Sequence, residues 1–280
     1  MPERSNGILY VVATPIGNLN DFSERAIITL KEVSQIACED TRRTQILLNH
    51  FGISARLQVL QDHNEREVTL RFVAFLQAGE SIALVSDAGT PLISDPGFRL
   101  VQAAHQADIK VVPIPGACAA IAALSALGLP SDCFTFYGFL PAKHKQRCDV
   151  LNGIKSKSET AIFYEAPHRL KEALTDIVSV LGENRLVGIG REITKQFEQI
   201  EQASARVILE RVISGGIPEK GECVLVVAGE EARPESDEVD RLLKTLLSEI
   251  PLKSAVKIAQ QYFNLPKNEV YARALELSRG

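Results

Sequence analysis

The sequence predicts an α/β protein of two α/β domains, at 1–128 and 129–229, followed by a helical segment at 230–280. Three observations point there. Short β-branched runs alternate with helix-like stretches up to about residue 128; strands separated by helices need right-handed crossovers and give a mainly parallel sheet. From Pro130 onward the strand-like runs follow one another more closely, which predicts a mixed sheet. Beyond a polar, acidic linker at 230–238 that contains Pro234, only helical patterns remain.

The elements follow in order. Ile8, Leu9, Tyr10, Val11 and Val12 read as the opening strand, and Ser23 with Glu24 as a helix start ahead of the apolar stretch 26–30. Strands come next at 35–38, 57–60, 81–85 and 110–113, with helices between them and a small-residue helix at 117–126 closing the series. In the second region the strands are 134–137, 160–164, 186–191, 197–201 and 223–228, with helices near 169–181 and 204–213. The tail reads as three short helices, 239–247, 252–263 and 267–277. Pro251 and Pro266 suit first helical turns, where the missing N–H is no loss.

Composition narrows the class. At 280 residues, 45% hydrophobic and 24% charged, the chain can bury large cores without a metal or disulfide staple. Residues 1–6 are polar and the apolar run 8–13 is too short for a signal peptide, and no stretch approaches a membrane span, so a cytoplasmic protein without membrane contact is expected. The five cysteines, 38, 118, 133, 148 and 223, are dispersed with no CxxC pair, which predicts reduced thiols and no metal site. A net charge of −4 excludes bulk electrostatic adhesion to nucleic acid; a polyanionic partner would have to meet local basic patches.

Functional groups of parallel sheets gather at the carboxyl ends of the strands, and the unusual loops fall there. Residues 14–21 place Pro15 and Gly17 just past the first strand, without a dinucleotide-binding fingerprint or a phosphate loop; an ordinary turn explains them as well. Residues 86–97 form a twelve-residue loop rich in Gly, Pro, Ser and Asp, longer than a structural turn needs, in which Asp87 could accept from an amino group or favour a cation. Residues 112–116 lead into the Ala-rich helix, where backbone can approach a flat ring. The loops at Pro15, Asp87 and Gly116 are expected to converge on one crevice. Two further handovers, 39–44 and 163–169, pair carboxylates with arginines; Asp40 there could equally be a helix N-cap with Arg42 in solvent. Lys143, Lys145 and Arg147, with Lys155 and Lys157, make a basic patch against the single acid Asp149; a solvated face explains it as well.

Together, Thr-Pro-Ile-Gly-Asn-Leu at 14–19, Glu-Asp-Thr-Arg at 39–42, the run 84–97, Gly-Phe-Leu-Pro at 138–141 and Phe-Tyr-Glu-Ala-Pro-His-Arg at 163–169 resemble the tetrapyrrole methylase superfamily. They look most like its ribosomal RNA branch. The pigment-modifying branch usually has a second glycine and an aspartate in the first loop and Gly-Asp-Pro in the second. The resemblance implies two α/β domains of the tetrapyrrole methylase type with S-adenosylmethionine in the interdomain cleft, and a homodimer. It also implies 2′-O-ribose methylation of a decoding-centre cytidine in 16S rRNA of the small ribosomal subunit. Carried over by motif, the cofactor contacts are Pro15, Ser86, Asp87, Ala88, Ile93, Ala119, Ala166 and Pro167. Two departures stand out: Ala117-Cys118 where the family usually has Pro-Ser, and Arg43 where it often has histidine. A tetrapyrrole C-methyltransferase and a non-catalytic adenosine-ligand sensor remain as alternatives.

Methyl transfer to a ribose needs no metal, but the hydroxyl is a weak nucleophile that a base or orienting acceptor would help. Glu39 and Asp40, with Arg42, are the catalytic candidates; Glu165 and His168 are the rival pair. Arg42, Arg43, Lys143, Lys145, Arg147, His168 and Arg169 are the candidate RNA contacts.

Overall fold

A computed structural model of the chain describes residues 6–61, 63–230, 236–263 and 265–278. In the first sheet β1 (Ile8–Val12) lies between β4 (Ile82–Val85) and β5 (Lys110–Ile114). Past β4 come β2 (Gln35–Cys38) and the edge strand β3 (Arg56–Val59), every pair parallel. The central β4 is buried throughout, which is why 82–85 is apolar without alternation.

Helices cover both faces of this sheet. On one, Ala26 and Leu30 of α1 (Glu24–Glu32) and Leu48 of α2 (Thr41–His50) pack with Val12 and Ile36. On the other, Phe72 of α3 (Glu65–Gln77) and Leu100 of α4 (Phe98–Gln106) pack with Leu9 and Leu84. The neighbours β1 and β4 therefore send their chains to opposite faces. Their carboxyl-end loops part, and a crevice opens where they do.

The second sheet is mixed, in the order β6-β7-β10-β8-β9. β6 (Phe134–Phe139) runs parallel to β7 (Thr160–Glu165). β10 (Cys223–Val227) is antiparallel to β7 and to β8 (Leu186–Arg191), and β9 (Gln199–Ser204) is antiparallel to β8. Three helices, α6 (His144–Ile154), α7 (Leu170–Leu181) and α8 (Ala205–Ile213), put Leu151, Leu174 and Ile208 over Phe163 and Leu225. The other face takes α5 (Ala119–Leu127), whose Ala120, Ala123 and Leu127 pack on Ile162, Val224 and Val226. Glycines in β8 permit that approach: a Cβ on Gly188 would lie 2.7 Å from Leu127, and one on Gly190 3.2 Å from Ala123. The helix ahead of residue 128 thus packs on the sheet that follows it, and Met1–Gly229 is one compact unit.

Glu230–Gly280 is the second unit. Its helices α9 (Ser236–Glu249), α10 (Leu252–Phe263) and α11 (Lys267–Leu277) close on a core of Val239, Leu243, Val256, Ala259, Val270 and Ala274. An Arg273–Asp240 ion pair ties α11 to α9. No helix among the described residues is long and apolar enough to cross a membrane.

Three sequence readings change. The expected linker 230–238 already enters α9 at Ser236, and its residues 231–235 lie outside the described ones. The fourth strand of the second region spans Gln199–Ser204 rather than 197–201, leaving Phe197 in an exposed turn. The stretch holding Lys143 to Arg147, read only as a charge patch, is the start of α6: Arg147, Leu151 and Ile154, at i, i+4 and i+7, share its buried face.

Candidate active site

The three expected loops meet. Thr14 and Gly89 form a two-way bridge: the Thr14 N–H donates to the Gly89 carbonyl at 2.9 Å and the Gly89 N–H to that of Thr14 at 3.1 Å. The Ser86 hydroxyl donates to the Gly89 carbonyl at 3.0 Å, closing the second loop on itself. The Thr90 hydroxyl reaches the Ala117 carbonyl at 3.0 Å and ties in the third. Gly89 has φ +85, and a Cβ there would lie 3.2 Å from Ile16, so this position both turns left-handed and accepts close packing. Leu92 and Ser94, with φ 73 and 74, hold the same conformation without being glycine. Such residues cost of order 1 kcal/mol or more each and collect at ligand clamps. The far end of the loop is fixed by buried Glu65, whose Oε1 accepts from Gly97 N–H at 3.0 Å and Arg99 N–H at 2.9 Å.

These loops form one wall of a cleft of about 470 Å³; the ends of β6, β7 and β8 and the start of β10 form the other. Of the sequence-chosen cofactor contacts, Asp87, Ala88, Ile93, Ala119, Ala166 and Pro167 line it. Ser86 is buried behind the loop it shapes, and neither it nor Pro15 is a lining residue.

Asp87 is the junction of the acidic wall. Its Oδ1 accepts the Asp40 N–H at 3.1 Å and its Oδ2 lies 3.3 Å from the Arg43 guanidinium. Asp40 itself is not among the lining residues: its Oδ1 accepts the Arg42 N–H at 2.8 Å as the N-cap of α2, and that bond chiefly holds its carboxyl below the usual range. The Arg42 side chain is 90% exposed. Glu39 and Arg43 line the cleft.

Asp95 received no role from the sequence, yet it lines the same cleft. Burial first, then the neighbouring Glu39 carboxylate and more weakly Asp87, push it up to about 6 against the Ser86 hydroxyl, which holds it down. On the opposite wall Glu165 is buried and paired with Arg169 at 3.2 Å. Burial raises its carboxyl, while the Ala166 N–H and Arg169 pull it down. Arg169 also donates to the Leu140 carbonyl, so its guanidinium is occupied inside the protein. His168 is exposed.

The basic patch needs a correction. Lys143 and Lys145 are exposed, but Arg147 is 2% exposed and faces the core. Its Nε donates to Asp176, 6% exposed, at 2.6 Å, and its Nη1 to the Ala142 carbonyl at 3.2 Å. The i, i+4, i+7 face of α6 points that way, so Arg147 is a structural ion-pair partner and adds no surface charge. Asp176 also meets His144 and Cys148, the three offering ligand atoms within 4.8 Å of one another, yet the Arg147 cation already occupies that carboxylate.

Residues 8–208 match the family model for Tetrapyrrole (Corrin/Porphyrin) Methylases, and 233–278 match that of the RsmI C-terminal HTH domain. The ribosomal RNA small subunit methyltransferase I of Escherichia coli O157:H7 is 51% identical over 98% of this chain and 96% of its own length. The chain belongs to that family. The protein of the same name from Pseudomonas aeruginosa is 50% identical over 97% of this chain and 98% of its own. Among solved structures, diphthine synthase shares the fold, with a TM-score of 0.59 over 79% of this chain and 89% of that one at 16% identity.

For a chain of the ribosomal RNA small subunit methyltransferase I family, the wall contributed by Gly190, Ile193, Gly221 and Glu222 lies outside every motif the sequence offered, while Phe139 and Tyr164 stand in such motifs without a role of their own. A signal was present at two places. Glycines inside a strand, as at 188 and 190, mark a close backbone approach, and Gly138 precedes an aromatic at the end of a strand.

Proposed function

We propose that this chain transfers a methyl group from S-adenosylmethionine to a ribose 2′-hydroxyl of a decoding-centre cytidine in 16S rRNA. The small ribosomal subunit is then its partner, and a cytoplasmic homodimer its working form. The observation that carries the reading is the convergence of three loops on one cleft whose wall is backbone-rich at Ala88, Gly89 and Ala119 and acidic at Asp87, Asp95 and Glu39.

Those residues suit the nucleoside. The cleft of about 470 Å³ falls within the roughly 300–1,000 Å³ of small-molecule sites, and small side chains let backbone approach a flat ring. Carboxylates suit its amino group and its sulfonium. When bound, S-adenosylmethionine supplies an electrophilic methyl group at a positively charged sulfur. Asp87, Ala88, Ile93, Ala119, Ala166 and Pro167 would hold it, with Pro15 and Ser86 supporting the loops from behind.

Of the acids, Asp95 is best placed to take the hydroxyl proton. It lines the cleft, and an acceptor with a pKa near the working pH gives the best balance of ionised fraction and basicity. Glu39 lies beside it and keeps it proton-hungry; Asp40 is spent on its cap. Arg42, Arg43, Lys143, Lys145 and His168 remain as phosphate contacts, whereas Arg169 positions Glu165.

The test is transfer of a labelled methyl group to intact small subunits, with the product mapped on the RNA. Label at one cytidine 2′-oxygen is the expected result. Transfer to a porphyrinoid instead, or tight nucleoside binding with no turnover on subunits, would overturn it.

A further inference from the structure

β6 ends in an irregularity with a purpose. Its pairing with β7 runs in step from Phe134↔Thr160 to Phe136↔Ile162 and then gains one residue, so that Phe139 faces Tyr164. Gly138, at φ +71, makes the extra turn. Bulges of this kind bend a strand and re-aim a side chain, and they gather near active sites. Here the re-aimed side chain is a phenylalanine that lines the cleft while remaining 60% exposed. Phe72 and Phe163, by contrast, are 1% and 0% exposed.

The ring is held in place. Phe139 and Tyr164 meet edge-on with centroids 5.6 Å apart, and Tyr164 meets Phe136 in the same way at 4.9 Å. The bulge also touches the acidic loop: a Cβ on Gly138 would lie 3.4 Å from the Ser94 hydroxyl, one residue before Asp95. The aromatic face, the Asp95 carboxylate and the Arg43 guanidinium thus line one cleft.

A helical nucleotide displays its 2′-hydroxyl in the shallow minor groove, but the helix around it does not fit a cleft of about 470 Å³. The nucleotide must leave its stack, and an unstacked base finds compensation on an aromatic face. We propose that Phe139 is the stacking platform for the acceptor nucleobase, a subsite for one unpaired base beside the carboxylate that receives the hydroxyl proton. This rests on the RNA-methylating reading of the cleft.

Phe139→Ala in the full chain tests it, with small subunits as substrate and Phe139→Tyr as the variant that retains a stacking face. Base–aromatic stacking of about 1–3 kcal/mol converts to a loss of roughly 5- to 150-fold in kcat/KM for subunits. S-adenosylmethionine affinity by calorimetry should be unchanged, and Phe139→Tyr should recover most of the loss. Phe139→Leu should behave like Phe139→Ala. Unaltered kcat/KM in Phe139→Ala would overturn the proposal, as would equal recovery by Leu and Tyr, which would make the residue an apolar filler. Dissociation of a dimer with turnover intact would also overturn it, by making the ring an interface contact. If the unsubstituted protein binds the nucleoside but methylates no RNA, the functional reading fails and the subsite falls with it. Normal methylation by Phe139→Ala removes the subsite alone.

Discussion

Asp95→Asn keeps the shape of the side chain and removes the charge that the cleft holds at a cost. In the unfolded chain this carboxyl titrates near 3.8; in the folded protein it titrates at about 6. Between those values the folded state keeps a proton that the unfolded state has released. The contribution of this carboxyl to stability is therefore most favourable below pH 3.8, falls as pH rises towards 6, and stays at the lower level above it. About two pKa units would correspond to roughly 3 kcal/mol, but the side chain is only half-buried, and solvent screening leaves about 1 kcal/mol. The amide carries no such charge, so the variant should melt about 2–4 °C higher at about pH 7.5 and within error of the parent at about pH 3.5. Turnover should move the other way. The parent's single-turnover rate should decline as pH falls through about 6, and the variant should lose roughly 10²- to 10⁴-fold together with that pH limb. Thermal melts at the two pH values and rapid-quench methylation of small subunits read both effects. A variant that is no more stable at the higher pH and still methylates at the parental rate would refute the reasoning about burial and about proton acceptance together.

Four other outcomes are expected. Arg147→Ala strands the Asp176 carboxylate in the core and should cost about 3–5 kcal/mol in denaturant unfolding; a loss under about 1 kcal/mol would mean that the pair is not buried in solution. Lys143→Glu with Lys145→Glu, both at exposed positions, should leave stability within about 0.5 kcal/mol while weakening subunit binding and flattening its salt dependence. Gly89→Ala forces a left-handed position and crowds Ile16, so nucleoside affinity measured by calorimetry should fall, with a stability loss of about 1 kcal/mol. Cys118 lines the cleft, and saturating S-adenosylmethionine should slow its alkylation by a maleimide, followed by mass spectrometry; equal rates would place the nucleoside elsewhere.

Most of the fold was readable because its signals are local. The apolar 82–85 run announced a central parallel strand, the alternation of strands and helices announced crossovers, and Pro251 and Pro266 announced the terminal helices. Cleft residues were legible where the chain makes a strange loop: Asp87, Ala88 and Ile93 stand in twelve residues too long and too rich in Gly and Pro for a turn. Identity was legible for the same reason, since five short motifs in order are a property of the string of letters.

What the string could not decide is which way a side chain faces and what it meets. Lys143, Lys145 and Arg147 look alike in sequence, but helical periodicity and the docking of α6 on α7 drive one of them into the core beside Asp176. Asp40 and Asp95 look alike too; one caps a helix, while the carboxyl of the other is pushed up by burial and then by Glu39 and Asp87, because the neighbouring strands β2 and β4 end side by side. Phe139 stands in the Gly-Phe-Leu-Pro motif with no role of its own in the sequence; a single extra residue in β6 sets it opposite Tyr164, on the cleft wall. Local patterning set the elements, since it depends on neighbours a few residues away. Burial, charge proximity and pKa depend on groups dozens of residues apart, and only the packed chain makes them neighbours.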